Sequence, residues 1–121
     1  MLDLRQLEMI MQLLTRKCVP CEGGVPPMSD EDEETYLEEV PGWDLDRSGE
    51  HKIRRDFRFD DFSGAIAFVN KVAAIAEEEG HHPDIHIYYN KVRLEIYTHA
   101  IGGLFENDFI IAAKVNEVLE S

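Results

Sequence analysis

The sequence predicts an α+β domain: a four-stranded antiparallel sheet with helices packed on one face, in the order helix, strand, strand, helix, strand, strand, helix. Three observations carry that prediction. Apolar and polar residues alternate over 53–59 and again over 85–96, as half-buried strands require. Each alternating run belongs to a hairpin, marked by Arg47-Ser48-Gly49-Glu50 in one case and Asn90-Lys91 in the other. Between the hairpins, and again after the second, apolar residues recur at helical spacing.

The elements follow in order. Residues 1–15 read as a short amphipathic helix with Leu4, Leu7, Met11 and Leu14 on one face, either docked on the body or frayed. The stretch from Val19 to Pro27 is a Pro/Gly-rich linker, so residues 1–28 form a leading segment and 29–121 the domain. Ser29 caps an acidic helix over 30–39 whose carboxylates suit the positive end of the helix dipole and are read as a solvated face. Trp43 to Asp46 is a short strand, followed by a second with Ile53, Phe57 and Phe59 inward and His51 at its exposed start. Asp60 or Asp61 caps a long helix with a stripe of Phe62, Ile66, Val69, Val72, Ala73 and Ala76, and Gly80 ends it. The last helix runs over 106–119 with Phe109, Ala112, Ala113, Val115 and Leu119 apolar.

Composition narrows the function. The chain has 121 residues, with 25 acidic against 12 basic side chains and a formal charge of −13, which opposes a phosphate backbone. No direct nucleic-acid partner is expected. No apolar run is long enough to span a bilayer, and Asp3 and Glu8 interrupt the leading stretch as a signal peptide, so a cytoplasmic protein is expected. Cys18 and Cys21 form one CxxC; a zinc site would need two more ligands of matching spacing, so the pair reads as loop thiols.

The histidines are the chemical signal. With Asn90-Lys91 as the turn, Tyr89 pairs with Val92, Ile87 with Leu94 and Ile85 with Ile96, all on one face. Extending that register sets His82 opposite His99, while His81 points elsewhere unless Pro83 makes the strand start irregular. Asp108 and the first turn of the last helix fall nearby. Three readings fit: unrelated surface histidines, a three-His metal site, or metal-free acid–base catalysis, for which imidazoles, titrating near pH 6.5 as a type, are suited.

Glu77, His81, His82, Pro83, Tyr89, His99 and Asp108 stand at the spacing of a known signature, within "DFSGAIAFVNKVAAIAEEEGHHPDI", "YNKVRLEIYTHAIGG" and "NDFIIAAKVN". Over residues 35–119 the chain resembles the pterin-4a-carbinolamine dehydratase family. The resemblance implies a homodimer or homotetramer, no metal and no cofactor, with a small-molecule pterin as partner and no membrane. It implies dehydration of a 4a-hydroxytetrahydropterin to the quinonoid dihydropterin and water, recycling the cofactor of aromatic amino acid hydroxylases. Carried residue by residue, it makes His81 and His99 the acid–base pair, His82 chiefly a pterin grip, and Asp108 an orienter of His99 or a holder of the ring's polar edge. Glu77, Pro83, Thr98 and Ala100 are expected to line the pocket, and Trp43 either stacks on the flat ligand or sits in the core. Where the family carries Ser or Thr this chain has Phe105, so Asn107 is expected to cap the last helix instead. The alternative from another class is a non-catalytic interaction or assembly protein of the dimerisation-cofactor type on the same fold.

Overall fold

Alternation and capping place the elements that hold the site. The computed structural model describes residues 4–18 and 26–120, so Cys21 and the surrounding linker lie outside the described residues. In chain order these are α1 (Leu4–Thr15), α2 (Asp30–Leu37), β1 (Asp44–Asp46), β2 (Lys52–Arg58), α3 (Phe62–Glu79), β3 (Asp84–Tyr88), β4 (Lys91–Ile96), a 3₁₀ turn (His99–Ile101) and α4 (Glu106–Glu120). The sheet is antiparallel throughout, in the order β1-β2-β4-β3.

Its inner face carries Ile53, Phe57, Val92, Leu94 and Ile96, all buried, against Ala65, Phe68, Val72 and Ala76 of α3 and the run Phe109 to Ala113 of α4. The Phe68 ring lies 4.6 Å from Phe57 and 5.1 Å from Phe59, which fastens α3 to β2. The stripe expected on α3 is therefore rotated. Phe62 is exposed, as are Ala73 and Ala74, because Phe68 is the large residue that fills the space over the sheet. The outer sheet face is polar and pairs with itself, Arg93 to Asp56 at 2.7 Å and His86 to Glu95 at 3.1 Å among others.

The β3–β4 register differs from the expected one by two residues. Ile85 pairs with Leu94 and Ile87 with Val92, so the turn is Tyr89-Asn90, with Tyr89 at φ +55°. Asn90 is held by the end of β2: its carbonyl accepts from the Phe59 amide at 2.9 Å, and its side-chain amide donates to the Phe59 carbonyl at 3.0 Å. That contact draws Lys91 into β4, opposite Arg58. A two-residue step keeps the apolar residues on one face, as the period of two demands.

Two peripheral helices dock. α1 buries Leu13 and half-buries Ile10 and Leu14, while Leu4, Leu7 and Met11 face outward, so its buried face is turned from the expected stripe. α2 is mostly solvated, but Glu33 is fully buried and accepts from His51 Nδ1 at 2.8 Å and Arg47 Nε at 3.0 Å. His51 is thus a structural partner and not free surface, and this cluster fastens the β1–β2 turn to α2.

Candidate active site

The site forms where α3 ends and β4 leaves the sheet. Asp61 caps α3 by accepting from the Gly64 amide at 2.8 Å, and Gly80 ends it at φ +67°, a region glycine enters without a Cβ penalty. The amides of Gly80 and His81 both turn back to the Ala76 carbonyl, at 2.9 and 3.2 Å, a closure of Schellman type. His81 therefore belongs to the helix cap, and β3 begins only at Asp84. Two adjacent histidines that would diverge in a strand line one cavity here.

The other wall comes from β4. Beyond Ile96, the amide of Thr98 donates to the Gly103 carbonyl at 2.8 Å and closes a small loop with His99 at its tip. Gly103 is needed there, since a Cβ would come within 2.8 Å of the Pro27 side chain. The cavity has a volume of about 400 Å³, within the range of small-molecule sites. His81, His82 and His99 line it together with Tyr97, Thr98 and Ala100; Cys18, Glu79, Gly80 and Asn107 complete the lining. The histidine-bearing ends line one cavity at the hairpin's open end, but not by the expected pairing: the observed register, continued past Asp84, sets His82 opposite Tyr97 and not His99.

Asp108 is wholly buried and accepts three hydrogen bonds: from His81 Nε2 at 2.6 Å, Thr98 Oγ1 at 2.8 Å and the Phe105 amide at 2.9 Å. A carboxylate only accepts, so neutral His81 carries its proton on Nε2 and keeps a lone pair on Nδ1. Asp108 thus pairs with His81 and not with His99, because β4 delivers His99 to the outside of the loop. The bond from the Phe105 amide is the reciprocal half of a capping box; Phe105 has no side-chain acceptor for the other half, and the Asp108 amide donates to the Phe105 carbonyl at 3.0 Å instead. Asn107 is not the cap; it is buried, with its carbonyl 3.6 Å from the Cys18 thiol.

The other two imidazoles are open to solvent. His82 Nε2 lies 3.6 Å from Glu77, and His99 Nδ1 lies 3.4 Å from Glu50 of the β1–β2 turn, with the His99 side chain 84% exposed against 13% for His81. Charges around them are tuned. The Asp84 carboxylate, with burial and a hydrogen bond to it, pushes the Tyr97 phenol up. Burial and then the charge of Glu79 push the Cys18 thiol up to about 12, so it stays protonated. Burial drives the Glu79 carboxyl upward, but the bonds from Lys114 Nζ at 2.7 Å and the Cys18 amide at 2.8 Å outweigh it and leave it below the usual range.

Several expected residues take other places. Trp43 is core: its Nε1 donates to Asn116 at 2.9 Å and its ring meets Phe57 edge-on, away from the cavity. Glu77 points into solvent and Pro83 is buried without lining the cavity, while Glu79 does line it. Sequence reasoning missed Glu79, Cys18, Tyr97 and Asn107. The buried positions Ala65, Phe68, Val72 and Ala76 continue at helical spacing to Glu79, so a correctly phased stripe would have singled it out of Glu77-Glu78-Glu79. Among the described residues, the group of His, Cys, Asp or Glu ligand atoms lying within 4.8 Å of one another is Asp30, Glu33 and His51, outside this cavity, with Arg47 on the same carboxylate.

Comparison with known proteins gives the family. A protein of Methylococcus capsulatus named "Putative pterin-4-alpha-carbinolamine dehydratase" is 48% identical over 106 residues, covering 88% of this chain and 92% of its own. The mitochondrial pterin-4-alpha-carbinolamine dehydratase 2 of Arabidopsis thaliana is 48% identical over 109 residues, 88% of this chain and 58% of its own length. A crystal structure of a transcriptional coactivator/pterin dehydratase from Brucella melitensis superposes with a TM-score of 0.72 at 33% identity, covering 76% of this chain and 97% of that one. The sequence pattern described as "Pterin 4 alpha carbinolamine dehydratase" matches residues 26–118, and the chain belongs to that family.

Proposed function

We propose that the protein catalyses the dehydration of a 4a-hydroxytetrahydropterin to quinonoid dihydropterin and water by histidine acid–base catalysis without a metal, recycling the pterin cofactor of aromatic amino acid hydroxylases. The observation that carries this reading is one cavity holding a carboxylate-oriented imidazole and a solvent-exposed one. The reaction removes a proton from N5 and delivers one to the hydroxyl leaving C4a, so it needs a base and an acid together. His81 is the base: its Nδ1 lone pair accepts the N5 proton, and Asp108 stabilises the imidazolium that results. His99 is the acid that protonates the leaving hydroxyl and reloads from solvent. His82 and Ala100 border the ligand, Thr98 holds Asp108, Glu77 supports His82 and Pro83 stiffens the turn between α3 and β3.

Self-association as a homodimer or homotetramer is part of the proposal. It is supported by β3, an edge strand with Ile87 and Tyr88 exposed and Tyr89 exposed in the turn that follows, as an unpaired edge invites pairing. The coactivator named alongside the dehydratase in the Brucella structure points to an interaction role as a second reading. Following dehydration of freshly generated 4a-hydroxytetrahydrobiopterin separates the two. His81→Ala and His99→Ala should each lose about 10²-fold or more in kcat; unchanged rates in both variants leave only the interaction reading.

A further inference from the structure

The cavity has a wall that lies outside the histidine signature. Cys18, in the leading segment, lines it. Its amide donates to Glu79 Oε1 at 2.8 Å, and its thiol rests 3.6 Å from the Asn107 carbonyl. Glu79 is itself anchored, since its other oxygen accepts from Lys114 Nζ of α4 at 2.7 Å and its side chain is only 2% exposed. One buried carboxylate thus joins the end of α3, the middle of α4 and the leading segment at the cavity.

The segment is fixed on both sides of this point. Before it, Leu13 is buried and Arg16 Nη1 bonds Glu106 at 2.7 Å. After the undescribed residues, the Met28 amide donates to the Leu104 carbonyl at 2.8 Å, and Pro27 packs on Gly103 of the His99 loop. The tether is part-buried, with the Glu79 side chain 2% exposed, so a Cys18 amide left without Glu79 loses a charge-assisted bond that an exposed pair would hold only weakly.

We infer that Glu79 is a positioning residue that holds Cys18 as a wall of the pterin cavity, so that the leading segment helps set how tightly the pterin is held. This rests on the pterin reading above for the ligand, but the tether itself does not. The protonated thiol offers an apolar, weakly donating surface suited to the side of a flat bicyclic ring and ill suited to nucleophilic attack.

The test uses the full chain and reads Cys18 alkylation by N-ethylmaleimide at pH 7.5, located by fragment mass spectrometry. In Glu79→Gln one acceptor oxygen replaces two; taken by the charged Lys114 ammonium, it leaves the side-chain NH2 facing the Cys18 amide donor to donor, which breaks the tether. Cys18 should then react at least tenfold faster than in the wild type while circular dichroism stays unchanged. In the wild type, saturating 7,8-dihydrobiopterin should slow Cys18 alkylation at least fivefold. Cys18→Leu, which leaves the tether intact and covers the case in which Glu79→Gln fails to fold, should raise KM at least fivefold with kcat within twofold. Wild-type alkylation in a folded Glu79→Gln overturns the tether, whatever the ligand. A fast-reacting Glu79→Gln with no protection by dihydrobiopterin and an unchanged KM in Cys18→Leu overturns the wall. If the wild type still dehydrates the carbinolamine in that case, this inference alone fails; if it does not, the pterin reading fails with it.

Discussion

Replacing Asp108 with Asn probes the site where folding and chemistry meet. Asp108 has no exposed surface, and all three of its partners, His81 Nε2, Thr98 Oγ1 and the Phe105 amide, are donors in the wild type. Asn keeps the shape but offers one acceptor oxygen and two N–H donors, so it cannot receive all three. Thr98 and the Phe105 amide share one oxygen of Asp108, and His81 faces the other. If the oxygen stays on Phe105, the side-chain amide faces His81 and forces its proton from Nε2 to Nδ1. The loss of charge assistance and the second, unpartnered N–H of the buried Asn come to about 2–4 kcal/mol. For a chain of this size that lowers Tm by about 10 °C or more. The Nδ1 lone pair disappears at the same time, and kcat should fall by about 10²–10⁴.

The assay pairs a thermal melt with single-turnover dehydration and ¹⁵N shifts of the His81 ring. The expected result is a lowered Tm, a lost rate and exchanged nitrogen signatures, with the fold retained. A folded Asp108→Asn protein with kcat within twofold of wild type refutes the role given to the Asp108–His81 bond.

Trp43→Phe removes the donor to Asn116 and part of a buried ring, costing about 1–3 kcal/mol of stability while leaving kcat/KM within twofold. A raised KM without loss of stability would return Trp43 to the ligand. Alkaline stability tests the burial of Cys18: its folded pKa of about 12 stands above the ordinary 9.0, so the stabilisation is complete below pH 9 and is lost as pH rises toward 12. Urea midpoints from pH 8 to 11 should fall more steeply in the wild type than in Cys18→Ala, and parallel curves would contradict the buried thiol.

Much of the fold was legible because short-range chemistry decides it. The alternation of Ile53 and Phe57, and of Ile85, Ile87, Val92, Leu94 and Ile96, fixes which sheet face is buried, and Asp61 and Gly80 bound α3 by capping alone. The turn was misplaced by one residue because Asn90 answers to Phe59, a contact 31 positions away that no local pattern contains. The rotation of α3 has a similar origin: Phe62 and Phe68 are equally apolar, and only the space above β2 selects Phe68.

The site divides in the same way. The spacing of His81, His82, His99 and Asp108 identifies the residues but not their pairing, which depends on the Schellman closure that keeps His81 on the helix cap. Glu79 and Cys18 were invisible for a physical reason, since one is a carboxylate in a run of three and the other is placed by a contact with it 61 positions away.

The central claim is that this cavity dehydrates a pterin carbinolamine. The direct measurement is the absorbance change as 4a-hydroxytetrahydrobiopterin, generated in a stopped-flow cell, decays with and without catalytic amounts of the folded protein after chelation of free metals. The account predicts a rate that rises in proportion to protein and persists in the chelator. A folded protein that leaves the spontaneous rate unchanged at every concentration contradicts it.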